Sequence, residues 1–317
     1  MQLVECVPNF SEGRRPAVMD AIHAAAATTP GVTVLDRHAD AAHNRMVLTF
    51  VGDPSSVVEA AFRCAARAAD LIDMTEHWGE HPRIGATDVI PFVPLNGVSM
   101  PECVTLAETL GARLGSELGI PVYLYYEAAR TPDRRRLPDV RRGEFEGLRA
   151  SIVTDPTRSP DFGPSRVGSA GATAVGARPF LLAYNITLET SDVTLARSIA
   201  RAIRESSGGL PAVQALGMAT PDPNVVQVSM NVLDTSVTPL HVVFEAVRGL
   251  AAAAGVAVAA SELVGLMPMD VLTATTAHFA RLGDFGRAQV VEARLLDSLT
   301  AEYTARPDRT GRGQEAQ

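Results

Sequence analysis

Apolar residues along the first half of the chain alternate between strand and helix spacing in a fixed order. Gln2–Val7 reads as a short strand, and Arg15–Ala27 has the spacing of an amphipathic helix closed by Pro30-Gly31. Val32–Arg37 and Arg45–Gly52 read as strands joined by a polar link. Pro54–Ile72 sets Val57, Val58, Ala61, Phe62, Ala65 and Ala69 at helical spacing. Val89–Val93 is a strand, Met100–Leu118 a helix stopped by the C-cap signal Gly119, and Val122–Tyr126 another strand. The order is β-α-β-β-α-β with an added α-β.

The second half repeats the order. Phe180–Leu188 is a strand, and Asp192–Glu205 is a helix with Ser191 as its expected cap. Val213–Met218 and Val225–Leu233 are strands, Pro239–Ala254 is a helix with proline in its first turn, and Val256–Val264 is a strand. Helical stretches follow near Met269–Ala277 and Arg287–Tyr303. The repeated order is the split β-α-β arrangement. It predicts an α+β protein of two ferredoxin-like βαββαβ sandwiches, with mixed or antiparallel sheets and helices on one face. The expected boundaries are 1–178 and 179–303, with 304–317 read as a disordered polar tail.

Between the halves, Arg130 to Arg178 is rich in Arg, Pro, Gly and Ser and too long for an idle connector. Its glycine-rich centre has neither a Walker pattern nor a GxGxxG fingerprint. Such a loop can bring backbone amides close to a flat or anionic ligand, or serve as a flexible linker.

With 317 residues, 46% hydrophobic and 20% charged, the chain reads as globular with room for two domains. It contains no lysine, so all 28 basic side chains are arginines, planar forks suited to carboxylates. A net charge of −8 argues against general nucleic-acid binding, and acidic residues interleave the Arg134–Arg142 cluster. Cys6, Cys64 and Cys103 are scattered without a CxxC, as in a reduced cytoplasmic protein. The N-terminus runs straight into a strand pattern, so no signal peptide is expected. The most apolar run, Gly249 to Leu266, reads as a helix end and a strand, and no membrane span is expected.

The densest chemistry lies in Gly79-Glu80-His81-Pro82-Arg83. His81 is a possible proton-transfer group, Glu80 could orient it or hold a cation, and Arg83 offers a bidentate carboxylate site. His77 and His81 have a metal-like spacing, but Gly79 and Pro82 oppose a helix and HExxH is absent, so no metal is expected. Asp36 to Arg45 gathers two histidines, two further carboxylate positions and arginines in one strand link. Val7-Pro8-Asn9-Phe10-Ser11 follows the first strand, with Asn9 and Ser11 able to donate into a cleft, or Ser11 to cap a helix. No GxSxG elbow supports serine hydrolysis.

These segments, with Asn44-Arg45, Leu71-Ile72-Asp73-Met74, Gly97-Val98-Ser99-Met100, Pro121-Val122-Tyr123-Leu124-Tyr125, Pro160-Asp161-Phe162-Gly163-Pro164, Gly171-Ala172-Thr173, Gly176-Ala177-Arg178 and Leu263-Val264-Gly265-Leu266, resemble the glutamate formimidoyltransferase family, from Leu3 to about Leu295. The resemblance implies transfer of a formimidoyl group from N-formimidoyl-L-glutamate to tetrahydrofolate in histidine breakdown. It implies His81 as general base and acid, and a folate segment at Gly163, Pro164, Ser165, Arg166, Val167, Gly168, Ser169, Ala170 and Gly171. The substrate-binding choices are Asn9, Asp40, Asn44, Arg45, Glu80 and Arg83, with Arg45 and Arg83 on carboxylates and Glu80 or Asp40 on the amidinium. It further implies two subdomains with folate between them, a homodimer, and a stand-alone transferase; whether a separate cyclodeaminase is a partner is left open by the sequence. Two positions depart from the family: His38 replaces an acidic residue, and Ala170 replaces a tryptophan in the folate loop. Another one-carbon donor such as N-formylglutamate, and a non-catalytic folate-binding protein, are the alternative readings.

Overall fold

Both repeats of the strand and helix order are present in the computed structural model, which describes residues 2–305. One unit runs to Leu181 and the other begins at Leu182.

The first unit opens with β1 (Leu3–Cys6) and β2 (Asn9–Phe10), two pieces of one strand lane. Pro8 lies between them; it has no N–H to donate, and its carbonyl accepts from Leu48 N at 3.0 Å. Then come α1 (Pro16–Ala27), β3 (Val32–Asp40), β4 (Arg45–Gly52), α2 (Pro54–Leu71) and β5 (Thr87–Asn96). These strands lie in the order β3, β4, β1/β2, β5, all antiparallel, which is the ferredoxin-like order. After α3 (Met100–Glu117) and β6 (Val122–Tyr126), the chain makes α4 (Leu137–Val140) and α5 (Glu144–Ser151). It then enters β7 (Thr173–Ala177), which slots between β5 and β6, parallel to both, completing a seven-stranded mixed sheet. The connector expected at Arg130 to Arg178 therefore holds two short helices and a central strand.

The core explains these choices. Phe10, Met46, Leu48, Phe50, Ile90 and Phe92 are fully buried in the sheet and pack with Ile22, Val57, Ala61 and Leu110 from α1, α2 and α3. Each large side chain removed from water contributes about 1.5–3 kcal/mol. Arg37, paired with Leu48 in register, bonds Asp20 of α1 at 2.6 Å, so this face of the sheet is the helix face. Strand alternation then turns Asp40, Arg45, Val47 and Asn9 to the opposite face.

The second unit contains β8 (Leu182–Leu188), α6 (Val193–Ile203), β9 (Val213–Ala219), β10 (Val226–Val232), α7 (Leu240–Ala253) and β11 (Val258–Val264). Its antiparallel order, β11, β8, β10, β9, is the same as in the first unit. In β8 and β10 every second residue is buried, against Ile199, Ala200, Val243 and Val247. Asp192, not Ser191, caps α6: its carboxylate accepts from Thr194 N at 2.8 Å and Leu195 N at 3.2 Å. Two helices follow, α8 (Met269–Ala280) and α9 (Val291–Ala305). Of the expected tail at 304–317, the first two residues end α9 and the rest lie outside the described residues. Among the described residues no helix is long and apolar enough to cross a membrane.

Candidate active site

Asn44 ties three segments together. It sits in the β3–β4 turn with φ 49°, a left-handed conformation that asparagine tolerates better than most residues. Its Oδ1 accepts from Gly13 N at 2.9 Å, and its Nδ2 donates to Trp78 O at 3.0 Å. Its carbonyl lies 3.2 Å from His77 Nε2, which must donate. The turn, the segment after β2 and the loop between α2 and β5 are thereby fastened together. Gly79 permits the approach: a Cβ there would stand 2.4 Å from His43 O.

That junction brings His81 onto the polar face of the sheet. His81 Nδ1 is 2.7 Å from the carbonyl of Pro82, so Nδ1 carries the proton and Nε2 presents a lone pair. Nε2 accepts from Arg45, whose guanidinium also donates to Asn9 Oδ1. Asn9 is held by its own Nδ2 bond to Val7 O at 2.8 Å. Burial, then the positive charges of Arg45 and Arg141, push the His81 pKa down from 6.5 to about 2, so the resting ring is neutral.

The surrounding charges pair unevenly. Arg141, at the end of α4, pairs with Asp88 of β5, and Asp88 also accepts from Ile84 N at 2.9 Å. Arg83 is buried and spends its guanidinium on Glu144 (2.9 Å) and Glu146 (2.6 Å) of α5 and on His77 O (3.2 Å). Its Nε donates to His77 Nδ1 at 3.4 Å. The expectation that Arg83 anchors a substrate carboxylate thus meets a guanidinium already holding two carboxylates of its own chain. Arg45 has no ion pair among the described residues, and its Nε and that of Arg141 are buried donors without a hydrogen-bond partner. Burial and Arg141 lower its pKa to about 9. The Asp88 carboxylate, held by Arg141, opposes part of that shift, and Arg45 meets the lone pair of His81 without a direct ion pair of its own among the described residues.

The other expected residues separate. Asp40 belongs to the same cluster, but its carboxylate is committed to His43, at 2.8 Å from the backbone N and 2.9 Å from ring Nδ1. Glu80 is exposed. A cavity of about 10 Å³, room for roughly one water, is lined by Ser11, His43, Arg45, His81 and Asp88 among others. Asn44 and His77 also line a neighbouring cavity of about 280 Å³ with Glu12, Arg14, Asp73 and Trp78. Trp78 is exposed, with Arg14 stacked 4.0 Å above its ring.

The segment Gly163, Pro164, Ser165, Arg166, Val167, Gly168, Ser169, Ala170, Gly171 starts against Gly115 and Ile120 and ends against Ile84 and Gly85. Its Ser169 and Ala170 carbonyls accept from Met74 N and Ala86 N, both at 2.8 Å, and Gly171 pairs with Gly85. Gly171 has φ 74°, and a Cβ there would lie 2.4 Å from Gly85 Cα. Glycine at this end serves close backbone packing, and Ser165, Arg166, Gly168 and Ser169 are left exposed. His43, Asp88 and Arg141 were not among the sequence-based choices. His43 lay in the Asp36–Arg45 group and Arg141 in the arginine cluster interleaved with acids, but Asp88 and Arg141 are 53 positions apart and nothing in the sequence paired them.

Residues 3–178 match the formiminotransferase domain N-terminal subdomain, and residues 183–293 match the formiminotransferase domain. The chain is 48% identical to a glutamate formimidoyltransferase of Thermoplasma acidophilum, over 95% of this chain and all of that protein (100%). It is 43% identical to a glutamate formimidoyltransferase of Streptococcus pyogenes, over 93% of this chain and 99% of that one. It is also 49% identical to the formimidoyltransferase-cyclodeaminase of Sus scrofa, covering 94% of this chain but 57% of that protein. The two domain matches, and relatives similar over their whole length, place this chain in the formiminotransferase family.

Proposed function

We infer that this protein is a glutamate formimidoyltransferase, moving a formimidoyl group from N-formimidoyl-L-glutamate to N5 of tetrahydrofolate. The observation that carries the site assignment is Arg45, a desolvated guanidinium with no direct ion pair among the described residues, bonded to the lone pair of His81. Such a cation favours a carboxylate, and the donor has carboxylates to offer. A carboxylate is a stronger acceptor for Arg45 than a neutral imidazole, so donor binding draws the guanidinium away and frees Nε2. His81 then accepts the N5 proton as N5 attacks the amidine carbon. Pro82 O holds the tautomer that makes this possible.

Asn9 fixes the direction of Arg45, and Asn44 fixes the loops that carry His77 and His81. The cavity of about 280 Å³ beside them has the size and mixed charge for an amino-acid-like group. The exposed stretch of the 163–171 segment is our choice for folate contacts, with tetrahydrofolate a co-substrate. Buried free thiols at Cys6, Cys64 and Cys103 suit the reducing cytoplasm, where we place the protein as a homodimer. A separate cyclodeaminase would take the product, an activity named together with the transferase in the pig relative.

The experiment is to incubate the protein with tetrahydrofolate and either N-formimidoylglutamate or N-formylglutamate, following 5-substituted folate by absorbance. Product with the formimidoyl donor is the expected outcome. Product with the formyl donor alone would replace the donor in this reading, and folate binding with no product from either would make the protein a folate carrier.

A further inference from the structure

The transfer requires two proton movements at different nitrogens, and the site contains a second histidine built for one of them. His43, in the β3–β4 turn, shares the small cavity with His81, the ring centroids standing 6.1 Å apart edge to face. Asp40 holds His43 twice, through the backbone N at 2.8 Å and through ring Nδ1 at 2.9 Å. Nδ1–H is therefore the fixed donor and Nε2 is the nitrogen left to exchange a proton. A carboxylate, an imidazole Nδ1 and a free Nε2 form the same orienting pair that acts in acid–base catalysis elsewhere. The histidines also differ in surroundings: His81 faces Arg45 and Arg141, whereas His43 faces the Asp40 carboxylate. The two rings thus have different hydrogen-bond partners within one cavity, a carboxylate for His43 and a guanidinium for His81.

We propose that the Asp40–His43 pair is the general acid of the reaction, with His43 Nε2–H protonating the departing glutamate nitrogen while His81 serves as base. Asp40 is a positioning residue. The step balances as follows. The N5–carbon bond forms, and the N5 proton passes to His81 Nε2. The carbon–nitrogen bond to glutamate breaks, its electron pair stays on nitrogen, and that nitrogen takes the proton of His43. His81 ends protonated and His43 neutral, and one proton transferred across the shared cavity, through water, restores both. This inference rests on the transferase reading above.

The test uses His43→Gln and Asp40→Asn, with His81→Gln as comparison, and two donors: N-formimidoylglutamate and an N-formimidoyl arylamine carrying a carboxylate. The arylamine nitrogen is a better leaving group and needs less protonation. Wild-type turnover must be seen first; its absence would defeat the transferase reading and leave His43 out of the question. With the glutamate donor, we expect His43→Gln to lower kcat by about 10²-fold or more, with KM little changed. With the arylamine donor, that loss should shrink to within about tenfold, whereas the His81→Gln loss should persist. Asp40→Asn should give an intermediate loss with the glutamate donor that likewise shrinks with the arylamine donor, as expected of a residue acting through His43. His43 is half-exposed, so a folded variant is expected, checked by circular dichroism. Wild-type-like kcat in His43→Gln would overturn the proposal, and so would an equal loss with both donors.

Discussion

Replacing Arg45 by glutamine removes the charge beside His81 while keeping a side chain able to donate one N–H to Nε2. Two unit charges about 4 Å apart interact by about 4 kcal/mol at an effective dielectric constant near 20. At about 1.4 kcal/mol per pK unit, that is a rise of roughly three units in the His81 pKa. Burial, the larger cause of the shift, and Arg141 both remain, so the value should stay below the ordinary 6.5. The direct assay is nitrogen-15 NMR of the imidazole rings from pH 3 to pH 8. The chain has only seven histidines, so a His81→Gln spectrum identifies the signal. Wild-type His81 should remain neutral with the proton on Nδ1 across that range, and in Arg45→Gln it should begin to titrate within it. Loss of the carboxylate anchor should also raise KM for the donor by roughly 10²-fold, about the lower end of what truncating a buried charge pair costs, with KM for tetrahydrofolate little affected. An unchanged titration together with an unchanged donor KM would refute the coupling of Arg45 to both base and substrate.

Three further outcomes follow from the same geometry. The depressed His81 pKa lies below that of the unfolded chain, so the unfolded state binds more protons once the pH falls under about 6.5. Stability should be fully present above that value and decline toward acid by at most about 1.4 kcal/mol per pH unit from this group; urea unfolding should show a shallower acid decline in His81→Gln, and an equal one would refute it. Arg83→Ala should cost about 1–3 kcal/mol, reduced from the cost of a fully buried pair because Glu144 and Glu146 are partly exposed, and thermal unfolding would read it. Gly171→Ala should cost roughly 2–5 kcal/mol through left-handed strain and overlap with Gly85, and should weaken tetrahydrofolate binding measured by fluorescence.

The double β-α-β-β-α-β order was readable because each strand and helix carried its own period and stop signal, such as Pro30-Gly31 and Gly119. Strand β7 was not, because Thr173–Ala177 is short and made of small residues; its identity comes from parallel neighbours distant in the chain. The same distance hid the partners of Arg83. Beside His81 it looked like a free anchor, yet Glu144 and Glu146 lie 61 and 63 positions away. Arg45 and Asn9 could be singled out from local motifs, but their joint grip on His81 arises only when β2 and β4 pair. Asp40 drew attention as a charge for the substrate, and the turn geometry instead commits it to His43.

His81 as the proton-transfer group is tested most directly by rapid-mixing turnover of His81→Gln with tetrahydrofolate and N-formimidoylglutamate, alongside equilibrium binding of tetrahydrofolate. We expect kcat to fall by about 10²–10⁴-fold while the folate dissociation constant stays near that of the wild type. Turnover close to wild type in a folded, folate-binding variant would contradict it.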